Sequence, residues 1–252
     1  MQALISPFDR SFNYGDGIFT TMQVRAGSIQ LWPLHLQRLQ RAASQLGFAS
    51  IDWHSVEQQA QGAVTAEQQV IKLLISRGDA GRGYAPTDGC SPNIYVSVSP
   101  MPDYRQAQTQ GVHLQPARLK LAVQPALAGL KHNNRLEQVL LKQELASTAA
   151  DDLLVLDQLG FITEATAANV FLQRAGQWYT PALTRAGVAG VMRQHIMQSA
   201  DIREIDWTAA ELDSVDAMFI CNALMGIVPV RRFANRNLAM AGVEQFTKQV
   251  IC

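Results

Sequence analysis

The sequence predicts an α+β protein of two domains. Three observations lead there. Short apolar segments rich in β-formers, bounded by turn residues, recur on both sides of the chain's middle. Only a few stretches have helical spacing, so strands and helices do not simply alternate. Residues 99–112 hold Pro100, Pro102 and Gly111 with little periodicity and read as a linker. At 252 residues the chain can bury one large core or two smaller ones. The expected division is a small N-terminal α/β domain over 1–106 and a larger C-terminal domain over 107–252.

Taken in order, residues 17–32 read as a hairpin, with Phe19–Val24 and Ile29–Trp32 flanking a turn at Arg25-Ala26-Gly27. Leu36, Leu39, Ala43 and Leu46 repeat at helical spacing, and Gly47 stops that helix, predicted over 33–46. A second helix is predicted over Ser55–Val64 and buried strands over Ile71–Ser76 and Ile94–Val98. Between these strands, the Gly- and Pro-bearing stretch from Arg77 to Pro92 reads as a loop able to cover a substrate. After the linker come a strand at Val112–Leu119 and a loop presenting Lys131. A helix over Asn134–Ala146 is expected to bury Leu136, Val139, Leu140 and Leu145. One hairpin pairs Leu153–Leu156 with Phe161–Thr163, and another pairs Val170–Leu172 with Trp178–Thr180. Gly190 opens a further helix, and Met218–Ile220 is a strand.

Bulk chemistry narrows the function classes. Formal net charge is zero with the signs interspersed, so no basic surface for nucleic acid or anionic membrane is expected. No apolar run reaches membrane-spanning length, and Met1–Pro7 lacks the basic-then-apolar pattern of a secretory signal. Cys90, Cys221 and Cys252 are too scattered for a disulfide framework, and the five histidines lack ligand spacing, so no metal site is expected. Cys221 reads as a small buried hydrophobe. These features favour the cytoplasm.

The segment Gly129-Leu130-Lys131-His132-Asn133-Asn134-Arg135 places a lysine at the opening of an apolar helix. Ile162-Thr163-Glu164-Ala165-Thr166-Ala167-Ala168-Asn169 places an acid on a strand, followed by small residues that let a planar ring lie against the backbone. An amine that can hold an aldehyde, and an acid that can keep a pyridine nitrogen protonated, are what a pyridoxal phosphate enzyme needs. By themselves the two residues fit a solvated lysine and a surface glutamate better than a cofactor site.

With Tyr14-Gly15-Asp16-Gly17-Ile18-Phe19, His35-Leu36-Gln37-Arg38-Leu39 and Gly190-Val191-Met192-Arg193, these segments stand in the order found in the fold-type-IV pyridoxal phosphate enzymes, which the chain resembles over nearly its whole length. That family includes branched-chain aminotransferases, D-amino acid aminotransferases and 4-amino-4-deoxychorismate lyases. Within it, Ile75-Ser76-Arg77-Gly78, Gly81-Arg82-Gly83-Tyr84, Lys131–Leu140 and Ile220–Met225 are most similar to the lyases. The resemblance implies a β-barrel-like sheet in the C-terminal domain, pyridoxal 5'-phosphate at the domain interface, and a homodimer.

It also implies roles. Lys131 forms the Schiff base and then serves as general base; Glu164 partners the pyridine nitrogen; Asn169 accompanies the cofactor by fixing its loop. Arg38, the helix start at Gly190, Val191 and Met192, and the turn at Asn222 and Ala223 hold the phosphate, the helix start through free backbone N–H groups. Arg82 and Tyr84 on the 77–92 loop, Arg135 one turn beyond Lys131, and Tyr14 and Thr20, with Thr21, line the substrate site. The substrate implied is aminodeoxychorismate, whose two carboxylates suit arginines. An aminotransferase of the same fold remains an alternative, although Met192 stands where family aminotransferases carry threonine. A cofactor-binding protein without turnover is a third, opposed by the presence of Lys131, Glu164 and Arg38 together.

Overall fold

A computed structural model describes residues 5–86 and 90–250. Met1–Leu4 of the segment read for targeting, 87–89 of the expected substrate loop, and Cys252 lie outside them. Backbone contacts divide the chain into two compact units, Met1–Pro102 with Leu130–Arg135, and Asp103–Gly129 with Leu136–Cys252.

The first unit opens with α1 (Arg10–Tyr14), whose free N–H groups at Ser11 and Phe12 donate to the Asp9 carboxylate. Then follow β1 (Gly17–Arg25), β2 (Ser28–Ile29), α2 (Trp32–Gln45), α3 (Trp53–Gly62), β3 (Gln68–Ser76) and β4 (Asn93–Ser99). The four strands form an antiparallel sheet in the order β2-β1-β3-β4. Ile18, Thr20, Met22 and Val24 alternate inward along β1, and Ile71, Leu73 and Ile75 do so on β3. Pro33 occupies the first turn of α2, where its missing N–H costs nothing. The helix lays His35, Leu39, Ala42 and Ala43 into the core. Trp32, expected in the hairpin, instead starts α2.

Leu130–Arg135 belongs to this unit because it runs beside β1. Phe19 N donates to Lys131 O at 3.0 Å, and Asn133 N to Gly17 O at 2.9 Å. The expected boundary at 106/107 put the lysine in the second domain; the contacts divide the chain at Pro102/Asp103 and count the lysine segment with the first.

The second unit contains α4 (Arg105–Gln110), β5 (Val112–Pro116), α5 (Leu136–Ala146), β6 (Asp152–Leu156), β7 (Ile162–Ala165), β8 (Asn169–Arg174), β9 (Gln177–Pro181), α6 (Val191–Ser199), β10 (Ile202–Ile205), a 3-10 turn (Ala209–Ser214), β11 (Ala217–Asn222), β12 (Gly226–Phe233), β13 (Arg236–Asn237) and α7 (Ala241–Val250). Its mixed sheet runs β10-β9-β8-β11-β12-β5-β6-β7, with β13 beside β12. Alternation along the strands sends neighbouring residues into different cores. Val170, Leu172, Met218, Ile220 and Val228 share one cluster. Phe171 and Phe219, their rings stacked 4.7 Å apart, share the other with Trp178, Ile196 of α6 and Phe246 of α7. Among the described residues no helix is long and apolar enough to cross a membrane.

One expected helix is corrected. α5 starts at Leu136 rather than Asn134, and of its leucines only Leu141 is buried. Leu136, Val139 and Leu140 are 77%, 50% and 49% exposed. The helix carries apolar side chains on two faces, and periodicity alone cannot say which of them meets the sheet.

Candidate active site

The candidate residues fall in both units, and each group has its own geometry. In the first unit, Lys131 is half-buried with its Nζ 4.6 Å from the centre of the Phe19 ring. It lies in the extended segment beside β1, not on a helix. Arg135 also precedes the helix, so the expected one-turn relation to Lys131 does not hold. Its Nε donates to His132 O at 2.7 Å and its Nη2 to Leu130 O at 3.2 Å, so the guanidinium folds back and clamps the lysine loop.

Arg38 projects from α2. Its Nη2 donates to Thr20 Oγ1, while its buried Nε has no hydrogen-bond partner among the described residues. Among the described residues no acid pairs with it. Burial, then the charge of Arg135, pulls its guanidinium down to about 10. A desolvated cation without a counter-anion is costly, so this group is set to receive an anion. Thr20 is fully buried, its hydroxyl held by Arg38 and by His35 Nδ1 at 2.6 Å. That placement departs from the expected substrate contact. Thr21, next along β1, is half-buried.

The loop bearing Arg82 and Tyr84 is held from below. Buried Arg10 donates to the carbonyls of Gly83, Tyr84 and Ala85, the Tyr84 bond being 2.6 Å, and to Asp16 Oδ2 at 2.8 Å. Arg77 donates to the same Asp16 oxygen at 2.7 Å. Burial alone would raise Asp16, but the hydrogen bonds and charges of Arg77 and Arg10 outweigh it and hold the carboxyl below its usual range. Tyr14 meets Tyr84 edge-on at 5.3 Å, whereas the Tyr84 ring is largely exposed. Arg82 is exposed on the same loop.

In the second unit, Glu164 is buried on β7 and accepts from Val188 N at 2.9 Å. Asn169 Nδ2 donates to Val188 O at 2.7 Å, and its Oδ1 accepts from Gly190 N at 3.0 Å. Glu164 and Asn169 therefore fix the stretch that leads into α6. Among the described residues no side chain caps α6, so the N–H groups of its first turn are not taken by a cap. Asn222 Oδ1 accepts from Leu224 N and Met225 N, both at 2.9 Å, and its Nδ2 donates to Ala167 O at 3.1 Å. Both polar atoms of its side chain thus shape the turn at Ala223.

Gly190 has a sharp steric reason: a Cβ there would lie 2.1 Å from Asn169 Oδ1. Gly190→Ala must break the Asn169 clamp or shift the helix start. A loss of about 1–3 kcal/mol is expected, several degrees in Tm. An unchanged melting curve would show that the clamp yields freely.

Two histidines of the first unit set an acid sensitivity. Burial, then the charges of Arg38 and Lys131, holds His35 well below 6.5; burial and then Arg135 pulls His132 down to about 4. Both stay neutral when folded and take up protons when unfolded. Stability is thus fully present above the unfolded value of 6.5 and is lost as pH falls from there toward about 4. Melting temperature should decline through that window, with His132→Gln reducing the slope. A flat profile would contradict it.

Sequence reasoning quoted His35 and Asp16 within motifs but gave them no role, and it missed Arg10. The available signal for His35 was its position three residues before Arg38, on the same helical face.

Known proteins resemble this chain over most of its length. Residues 17–233 match the amino-transferase class IV family. The aminodeoxychorismate lyase of Vibrio harveyi is 37% identical over 229 residues, covering 88% of this chain and 84% of that protein. The crystal structure of 4-amino-4-deoxychorismate lyase from Pseudomonas aeruginosa matches with a TM-score of 0.91 at 38% identity, over 99% of this chain and 94% of that one. A hypothetical aminotransferase from Mycobacterium tuberculosis, in its PLP-bound form, has the same fold, with a TM-score of 0.83 at 24% identity over 99% and 93% of the two chains.

Proposed function

We infer the activity from one premise: the chain belongs to the amino-transferase class IV family. On that premise it is a pyridoxal 5'-phosphate-dependent lyase that eliminates pyruvate from aminodeoxychorismate and leaves 4-aminobenzoate, a folate precursor. The likeness to two aminodeoxychorismate lyases at 37% and 38% identity supports the lyase over the aminotransferase reading. The observation that carries the cofactor assignment is Arg38, a buried cation with an unpartnered Nε and no acid beside it among the described residues. A phosphate dianion fits that vacancy in the hydrogen bonding.

Bound pyridoxal phosphate supplies an aldehyde that captures amines and a ring that stores electrons. The remaining steps belong to side chains of this chain. Lys131 would hold the cofactor at rest and, with its amine free, would take the proton from the amine-bearing ring carbon of the substrate. The neighbouring carbon–oxygen bond then breaks, enolpyruvate leaves and is protonated to pyruvate, and the substrate ring becomes aromatic. Glu164 would keep the proton on the pyridine nitrogen. Arg38 would serve the phosphate, as would the first-turn N–H groups of Val191 and Met192. Asn169 and Asn222 act through the backbone they fix, at Gly190 and Ala223. Arg82, Tyr84, Tyr14 and Arg135 serve the substrate end, Arg135 chiefly by shaping the loop that carries Lys131.

The assay that decides this supplies aminodeoxychorismate in one arm, and D- or L-amino acids with 2-oxoglutarate in the other. Pyruvate and 4-aminobenzoate should appear in the first arm. Amino-group exchange in the second, with no 4-aminobenzoate in the first, would replace the lyase by an aminotransferase. The buried, reduced thiol of Cys221 fits a reducing cytoplasm. Leu136, Val139 and Leu140 on α5 and Phe8 and Phe12 near α1 are exposed, which supports a homodimer that covers them. Light scattering should return twice the chain mass, and an active monomer would count against it.

A further inference from the structure

We propose that His35 is a positioning residue for anion binding: a neutral imidazole that, through the hydroxyl of Thr20, fixes how Arg38 presents its guanidinium. The inference rests on the reading above in which Arg38 holds the cofactor phosphate.

His35 and Arg38 stand three residues apart on α2, and Thr20 faces both from β1. His35 and Thr20 are each fully buried. A hydroxyl has one proton to give and two lone pairs. Arg38 can only donate, so Thr20 Oγ1 accepts from its Nη2. The hydroxyl proton is then left for His35 Nδ1, 2.6 Å away, provided that nitrogen is bare. In the other neutral tautomer Thr20 would accept from both neighbours, and its own proton would be buried without an acceptor. The arrangement that satisfies Thr20 therefore puts the imidazole proton on Nε2.

Charge explains why the acceptor is a histidine. An aspartate at this place would also accept from Thr20, but it would set a negative charge beside Arg38 and cancel the field an anion needs. An imidazolium would donate to Thr20 and leave the hydroxyl proton unplaced. A neutral imidazole supplies an acceptor and leaves the charge of Arg38 uncompensated. One end of the guanidinium, Nη2, is thereby anchored, while Nε remains buried and unpartnered. Among the described residues His35 Nε2 is itself buried without a partner, a cost that packing alone does not explain and that a leucine would avoid.

The test titrates cofactor-free protein with pyridoxal phosphate and, separately, with pyridoxal, which lacks the phosphate. His35→Leu should weaken pyridoxal phosphate about 10-fold or more, the scale of one lost hydrogen bond to a charged group, and leave pyridoxal unchanged. His35→Asn, whose Oδ1 falls near the place of Nδ1, should recover most of the loss. Thr20→Val, which keeps the shape and removes the hydroxyl, should reproduce the loss even where His35→Leu folds poorly. Equal weakening of both ligands, failure of asparagine to rescue, or wild-type affinity in His35→Leu and Thr20→Val would overturn the proposal. Arg38→Leu separates the two levels. If it loses phosphate-dependent affinity while His35→Leu does not, only the role of His35 falls. If it keeps that affinity, the reading of Arg38 falls, and the role of His35 with it.

Discussion

Lys131→Ala should lose on the order of 10⁴-fold or more in turnover, because one side chain performs two tasks: holding the cofactor covalently and moving the proton. The residues proposed for the phosphate are untouched by the change. Arg38 keeps its contact with Thr20, and the first turn of α6 keeps its uncapped N–H groups. Cofactor should still bind, without a covalent link and with an altered visible spectrum. In the unsubstituted protein, borohydride should fix the cofactor to the peptide containing Lys131. The competing amine in the same unit is Lys72 on β3, whose Nζ lies 5.0 Å from the centre of the same Phe19 ring. Lys72 is exposed, whereas Lys131 is half-buried. A label on the Lys72 peptide, or normal turnover in Lys131→Ala, would sink the assignment.

The strands were legible wherever burial alternates. Met22 and Val24 on β1 declare their face through period two, whereas Phe171 and Leu172 on β8 were legible as a short apolar run buried on both faces. Helix α2 was legible because its apolar residues form one stripe. Helix α5 was not, since Leu136, Val139 and Leu140 form a stripe that the sheet leaves exposed. The site shows the same division. Only the resemblance of the motifs pointed to Lys131, Glu164 and Arg38, and sequence distance could not reveal that Lys131 runs beside β1, more than a hundred residues earlier in the chain. Nor could it show that Arg135 turns back on its own loop, or that Asn222 spends both polar atoms on its turn. Hydrogen-bond partners are tertiary facts. A motif names the side chain, and only the fold says which of its atoms are already taken.

Glu164→Gln separates those two kinds of information. The amide keeps the shape of the carboxylate and can accept from Val188 N, the contact the acid makes at 2.9 Å, so the stretch leading into α6 should stay in place. Melting temperature is therefore expected to change little. What the amide lacks is the negative charge that holds a proton on the pyridine nitrogen. Glu164 is only 5% exposed, so water cannot replace that charge, and a charge-assisted hydrogen bond in a dry site is lost. Turnover should fall on the order of 10²-fold or more, with cofactor affinity much less affected because the phosphate contacts remain. Measuring kcat, cofactor dissociation and melting on one preparation distinguishes the outcomes. A normal kcat would remove Glu164 from the ring nitrogen. A loss of rate matched by a collapse in melting temperature would mean that the residue serves the fold through Val188 rather than the chemistry.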